Sequence, residues 1–198
     1  MEDKAHLLLH CCCAPCASYV LECLIPQYNV TLLFYNPNIE PRSEYAKRKD
    51  ELTNLLLKAS HVSKVKLLET EYDNAAFRSA ALSLRDEPEG GARCRICFEL
   101  RLREAASLAG AGEYDIFATT LSVSPHKDVS IINEIGSRLS EIYGIGFLES
   151  DYKRHDGFKR SVELSKRYGL YRQNYCGCYS SLPAPHKDRE ITVKIEDI

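Results

Sequence analysis

Short apolar runs alternate with longer stretches of helical periodicity along almost the whole chain, and that alternation narrows the possible folds more than any other feature. His6 to His10 (Leu7, Leu8 and Leu9 at its centre), Asn29 to Tyr35, Val62 to Leu68, Asp115 to Thr119 and Ile145 to Leu148 read as strands. Between them the spacing predicts helices. One runs from Pro15 to about Ile25 and stops at Pro26. A second, capped by Ser43, reaches about Lys58 with Tyr45, Leu52, Leu55 and Leu56 at helical spacing. A short helix follows around Ala75 to Leu84, then one from Cys94 to about Leu108. Ser124 and Pro125 start another that ends near Tyr143, and a basic helix covers about Asp156 to Tyr168. Strand followed by helix, repeated, predicts an α/β fold: a single domain with a mostly parallel sheet of about five strands and helices on both faces. A chain of 198 residues has room for one sizeable domain, expected over residues 1–185, with 186–198 as a polar tail.

Several function classes drop out on composition. The longest hydrophobic runs are a few residues, too short for a membrane span. Met1, Glu2, Asp3 and Lys4 lack the basic region and apolar core of a secretory signal, so a cytoplasmic protein is expected. Neither a Walker A signature nor a Gly-x-Gly-x-x-Gly fingerprint is present, which leaves no direct evidence for ATP or a dinucleotide. A net charge of -2 excludes a strong global attraction to nucleic acid. Locally the balance reverses, because Lys153, Arg154, Lys159, Arg160, Lys166, Arg167 and Arg172 face only Asp151, Asp156 and Glu163. A solvated helix face and a phosphate-binding surface both fit that stretch.

A reducing compartment makes metal binding or redox catalysis the reading for nine cysteines. Cys11, Cys12, Cys13 and Cys16 stand where the first strand gives way to a helix. The carboxyl end of such a strand is where α/β proteins hold ligands, and the helix N-terminus favours thiolate. Cys94 and Cys97 are spaced i, i+3, about 5–6 Å apart at Cβ on one helix face. They also stand in a first helical turn beside Arg93 and Arg95, which lowers a thiol's pKa. Cys176 and Cys178 flank Gly177, and a disulfide closing so small a ring is strained and redox-active; the same pair can instead hold a metal. Cys23, inside a helical apolar pattern, is set aside as a structural thiol. Four thiolates suit structural zinc as well as an iron–sulfur cluster, and the surplus of clustered cysteines favours iron. A metal-free thiol–disulfide oxidoreductase using Cys176 and Cys178 is a third reading.

Five ordered motifs carry a family resemblance over nearly the whole chain: Cys12 to Cys16, Phe34 to Ile39, Arg93 to Phe98, Thr119 to Asp128, and Tyr171 to Cys178. Together they resemble the QueH-type epoxyqueuosine reductases, cobalamin-independent iron–sulfur enzymes whose fold is similar to the nucleotide-hydrolase-like (HUP) group. The resemblance implies the last step of queuosine formation, reduction of a cyclopentane epoxide to the alkene. The substrate is tRNA carrying epoxyqueuosine at the wobble position. The electrons come from a donor such as a ferredoxin or flavodoxin, and no membrane is involved. It further implies that Cys12, Cys13, Cys94 and Cys97 ligate a [4Fe-4S] cluster. Cys176 and Cys178 form the redox-active pair or help to hold an additional mononuclear iron, for which Cys16 is also a candidate ligand. Cys11 stands outside the family's core motif, and His10 finishes the strand.

Epoxide reduction also needs protons, for which His126, Lys127 and Asp128 are candidates after strand four; the alternative for Asp128 is a helix-start residue complementing the dipole. An anticodon loop would explain the basic stretch. Among its interleaved aromatics Tyr152, Phe158, Tyr168, Tyr171 and Tyr179 are expected mostly as core and rim. Arg172, Tyr175, Lys159 and Arg160 are the candidate tRNA contacts. The rival from another class is a zinc-stabilised RNA-binding module without catalysis.

Overall fold

Leu7, Leu8 and Leu9 have no exposed surface, so the strand they form must be covered on both faces and flanked on both edges. The computed structural model describes residues 4–154 and 156–181; the tail expected over 186–198 lies outside the described residues. Within it, β1 (His6–His10) is the central strand. The helix α1 (Ala14–Leu24) leads to β2 (Asn29–Phe34), and α2 (Arg42–Lys58) to β3 (Lys66–Glu69). Next come α3 (Asn74–Ala81), α4 (Ala92–Ala111) and β4 (Ile116–Thr119), then α5 (Val129–Tyr143), β5 (Gly146–Phe147) and α6 (Gly157–Tyr168).

The strands form one five-stranded sheet in the order β3-β2-β1-β4-β5, every pair parallel. The expected α/β class, parallel sheet and strand number all hold. Because side chains alternate across a strand, Leu7 and Leu9 join one core and Leu8 the other. On the first face Leu32 and Phe34 meet Ala17, Val20 and Leu21 of α1 and Leu52 and Leu55 of α2. The other face packs Leu33 and Phe117 against Leu102, Ala105, Ala106 and Ala109 of α4 and Ile132, Ile135 and Leu139 of α5. Helix α6 lies along α1, and α3 along α4.

Several boundaries differ from expectation for local reasons. Ser43 is no cap: the amides of Glu44 and Tyr45 already reach the Pro41 carbonyl at 2.9 and 3.2 Å, so α2 begins before it. Val62 ends a short 3-10 turn and β3 starts only at Lys66. Ser124 and Pro125 do not open α5. They sit in a turn closed by Lys127 N–H to the Ser124 carbonyl at 3.3 Å, and Asp128 caps the helix instead. Among the described residues no helix is long and apolar enough to cross a membrane.

This topology places the site. Chain leaving β1 turns toward β2, whereas β4 lies on the other side, so the carboxyl ends of β1 and β4 border the switch point where doubly wound sheets hold ligands. Cys11 to Cys16 emerge from one of these strands and Thr120 to Lys127 from the other.

Candidate metal and active site

The turn after β1 gathers sulfur. Cys13 takes the extended conformation of an N-cap and Pro15 the start of α1, so Cys16 falls in the first helical turn. As a result the sulfurs of Cys12, Cys13 and Cys16 all lie within 4.8 Å of one another. The Cys13 and Cys16 thiols hydrogen-bond to the Cys12 sulfur and hold its pKa well below the usual range; Lys127 and Arg101 act in the same direction against burial. The hydrogen-bonded contact with Cys12, at 3.8 Å between the sulfurs, pushes Cys13 up to about 11.

Cys11 takes no part. It is fully buried, its thiol points at the Leu33 carbonyl at 3.5 Å, and burial raises its pKa well above normal. His10 is equally internal. Its Nε2 lies 3.1 Å from the Tyr35 carbonyl and its Nδ1 2.9 Å from Thr119 Oγ1, an arrangement that tethers β1 to the residue after β2 and to β4. Burial, reinforced by Arg101, lowers its pKa to about 4, so it is neutral at pH 7. Cys23 is half-buried on α1 beside Tyr19, away from the crevice.

The other two cysteine pairs meet in an inner recess. Cys94 and Cys97 in the first turns of α4 line it together with Cys176, Cys178, Phe77, Arg101 and Lys127. An outer crevice, open to solvent, is lined by Cys12, Pro15, Cys16, Phe158, Arg172, Gln173, Asn174 and Tyr175. Glu89, His126, Lys127 and Cys176 border both, which makes them one continuous site. Cys176 is the sulfur common to the two spaces.

Of the two cations adjoining Cys94 in sequence, Arg93 borders the recess and Arg95 leaves it. Arg95 turns outward to Glu134, and Arg93 turns onto the carbonyls of Leu84, Arg85 and Glu87, fixing the loop that precedes α4. Arg101 and Lys127 line the recess with the thiols as well. Burial opposes the charge on each, yet the nearby cysteines, Cys97 and Cys12 for Arg101 and Cys176 and Cys12 for Lys127, hold both above their ordinary values. Arg101 shares the helix face of Cys94 and Cys97 at i+7 and i+4, a spacing already present in the sequence. Burial pushes Cys97 up to about 12 and also raises Cys176, with Arg101 opposing in both.

The Cys-Gly-Cys turn is held from behind. Gly177 adopts φ +127, its carbonyl accepts from Glu40 N–H at 2.8 Å, and Tyr175 Oη donates to the Glu40 carbonyl at 2.5 Å. Both thiols are free.

Other expected site residues separate. His126 reaches the site, but the Asp128 carboxylate accepts from Ser130 N–H at 2.8 Å and Ile131 N–H at 3.3 Å and is outside both linings. That is the helix-start role. Arg172 and Tyr175 line the crevice, and Lys159 is exposed one residue from Phe158. Arg160 instead binds Glu22 at 2.9 and 3.0 Å and Glu163 at 3.2 Å, tying α6 to α1. Phe158, expected among core and rim, is 40% exposed in the crevice wall with the Arg172 guanidinium 5.4 Å from its ring centre.

A donor set with this many sulfurs, flanked by Arg93, Arg101 and Lys127, is compatible with a metal site of the soft, thiolate-preferring kind. Known proteins are similar to the chain over most of its length. The family described as Epoxyqueuosine reductase QueH matches residues 7–184. A protein of that name from Staphylococcus epidermidis is 40% identical over 181 residues, covering 89% of this chain and 76% of its own. The one from Streptococcus pyogenes is 40% identical over 177 residues, 88% of this chain and 69% of its own. The one from Thermotoga maritima is 35% identical over 192 residues, 95% and 96% of the two chains.

Proposed function

The chain belongs to the epoxyqueuosine reductase QueH family, and from that premise we propose that the crevice at the carboxyl ends of β1 and β4 is its reductase centre. It acts on tRNA carrying epoxyqueuosine and converts the cyclopentane epoxide to an alkene. The observation that carries this reading is the convergence of three separate cysteine groups on one continuous site that opens to solvent.

The donor set supports a thiolate-held iron group. Seven cysteines line the site or join its trio, more than one tetrahedral zinc uses, and all offer sulfur. Cys12, Cys13, Cys94 and Cys97 would hold a [4Fe-4S] cluster. Cys176 and Cys178 are the redox-active pair or, with Cys16, ligands of an additional iron. Such a centre supplies electrons singly and, at an open iron position, a Lewis acid.

The chain's own residues do the rest. Lys127 and His126 border both spaces, where they would deliver protons to the departing oxygen. Phe158, Arg172, Gln173, Asn174 and Tyr175 form the wall nearest solvent, and Lys159 adds an exposed charge for the phosphate backbone. Gln173 Oε1 is buried without a partner there, an acceptor awaiting a donor. The electron pair enters from a one-electron protein donor of the ferredoxin or flavodoxin type, and the product is queuosine plus water.

Iron, acid-labile sulfide and zinc contents of anaerobically purified protein test the proposal, with conversion of epoxyqueuosine tRNA by the reduced protein. Iron and sulfide present in the wild type, lost in Cys94→Ala together with conversion, support it. Stoichiometric zinc after loading with iron and sulfide overturns it in favour of a structural-zinc RNA-binding module.

A further inference from the structure

We propose that Arg101 is a positioning residue of the reductase centre: its guanidinium is the buried counter-cation that sets how readily a metal–sulfur group on the neighbouring cysteines accepts an electron. The inference rests on the iron–sulfur reading above and goes beyond it by assigning a residue outside every motif that carries the family resemblance.

The geometry is specific. Arg101 is 2% exposed, deep in the helix α4 that supplies Cys94 and Cys97. Its Nε donates to the Cys97 carbonyl at 3.1 Å, and its guanidinium carbon lies 5.8 Å from the Phe98 ring centre, so the guanidinium is fixed by two contacts. Its Nη2 is buried and has no hydrogen-bond partner. No carboxylate among the described residues pairs with it.

Arg48, buried to the same degree, has the Glu44 carboxylate and two main-chain carbonyls around it. An uncompensated buried cation is among the costliest groups a fold can carry, and such charges are ordinarily paired. Around Arg101 sulfur predominates: it lines the inner recess with Cys94, Cys97, Cys176 and Cys178, and the one carboxylate of that lining, Glu89, makes no ion pair with it among the described residues.

A fixed cation beside a metal–sulfur group has a predictable effect. Four thiolates leave such a group negatively charged, and the added electron makes it more so. A nearby buried charge therefore favours the reduced form, and net charge and hydrogen bonds to sulfur are known levers on these potentials. Reduction adds one electron from dithionite through a mediator, and no bond is made or broken.

The test compares Arg101→Gln and Arg101→Lys with wild type in anaerobic spectroelectrochemical titrations, after iron and sulfide content has been measured for each. Arg101→Gln, keeping its iron and sulfide, is expected to shift the reduction equilibrium at least tenfold toward the oxidised form, about 59 mV per tenfold for one electron. Arg101→Lys keeps the charge and stays within about threefold of wild type. A Gln variant with full iron and an unchanged potential overturns the proposal and leaves Arg101 a core-filling residue. A Lys variant shifted as far as the Gln variant overturns it too, because charge would not be the cause.

If Arg101→Gln does not fold, electron–nuclear double resonance on reduced wild type labelled with 15N-arginine replaces it. A coupled arginine nitrogen, lost in Arg101→Lys, is expected, and its absence overturns the proposal. Wild type lacking iron and sulfide fails the reductase reading itself, whereas wild type with both and an indifferent Arg101 fails this inference alone.

Discussion

Arg48 on α2 donates from Nη1 to the carbonyl oxygen of Cys176 at 3.0 Å, across 128 residues of sequence. Its Nη2 reaches the Tyr175 carbonyl at 3.3 Å and its Nε the Glu44 carboxylate at 2.7 Å. Tyr171 Oη closes the group by donating to both Glu44 oxygens, at 3.1 and 3.2 Å. A segment with no regular structure of its own thereby acquires a rigid mount on a helix. The two C-terminal thiols owe their place opposite α4 to that mount.

Arg48→Met therefore removes more than a surface charge. Glu44 is left without its buried partner, and breaking such a pair costs about 3 kcal/mol or more. Urea unfolding should show a loss of that order. Cys176 should also react faster with an alkylating reagent at denaturant concentrations where the fold persists. A variant within about 1 kcal/mol of wild type, with unchanged alkylation, would show that the turn holds itself.

Gly177 is the second constraint on the same turn. At φ +127 an L side chain is strained, and a Cβ there would meet Ile39 Cγ1 at 3.0 Å and Arg48 Nη1 at 3.2 Å. Gly177→Ala is expected to lose on the order of 1–3 kcal/mol. It should also lower conversion of epoxyqueuosine tRNA by more than the unfolded fraction explains. Circular dichroism melts and activity at a temperature where the variant is fully folded separate the two effects. Full specific activity in the folded variant would show that the turn tolerates displacement.

Much of this arrangement was legible in the chain because it depends on local pattern. The run Leu7, Leu8, Leu9 could only be a strand covered on both sides, and Pro15 set where α1 begins. Electrostatic partners were less legible, since they depend on which way long side chains turn. Arg95 adjoins Cys94 yet is drawn away by Glu134, and Arg93 spends its Nη1 on loop carbonyls at the rim of the recess, whereas Arg101, two helical turns beyond Cys94, lines the recess with the sulfurs. The i+7 spacing was available as a signal. Nothing local marked Glu22 as the partner of Arg160, a contact made only when α6 packs on α1. Asp128 over Ser124 as the cap of α5 likewise reflects a turn that only the folded loop completes.

Phe158 offers the most direct test of where the nucleic acid lies. It is an exposed aromatic at the mouth of a thiol-lined crevice, with Arg172 anchored beside it on Ser161 and Ser165. Stacking of a base on an aromatic ring is worth about 1–3 kcal/mol. Phe158→Ala should weaken tRNA binding roughly tenfold, while iron content and unfolding midpoint stay at wild-type values. Unchanged affinity for the tRNA would move the binding surface elsewhere.

Tyr72 supplies a pH dependence whose sign can be worked out. Its hydroxyl donates to the Ile39 carbonyl at 2.7 Å, in the loop beneath the Cys-Gly-Cys turn. Burial, then the Glu40 carboxylate, pushes its pKa up to about 12 from the ordinary 10. Between those values the folded protein keeps a proton that the unfolded chain gives up, so the native state binds more protons and stability falls as pH rises through the window. Below the lower value the contribution is fully present. Tyr72→Phe should therefore be less stable than wild type near neutral pH, having lost the hydrogen bond to Ile39, yet lose less on going from about pH 9 to about pH 11. Denaturant midpoints at the two pH values for both proteins measure the difference of slopes. Equal slopes would mean that Tyr72 ionises as freely in the folded chain as in the unfolded one, and that its hydroxyl is not held on the Ile39 carbonyl.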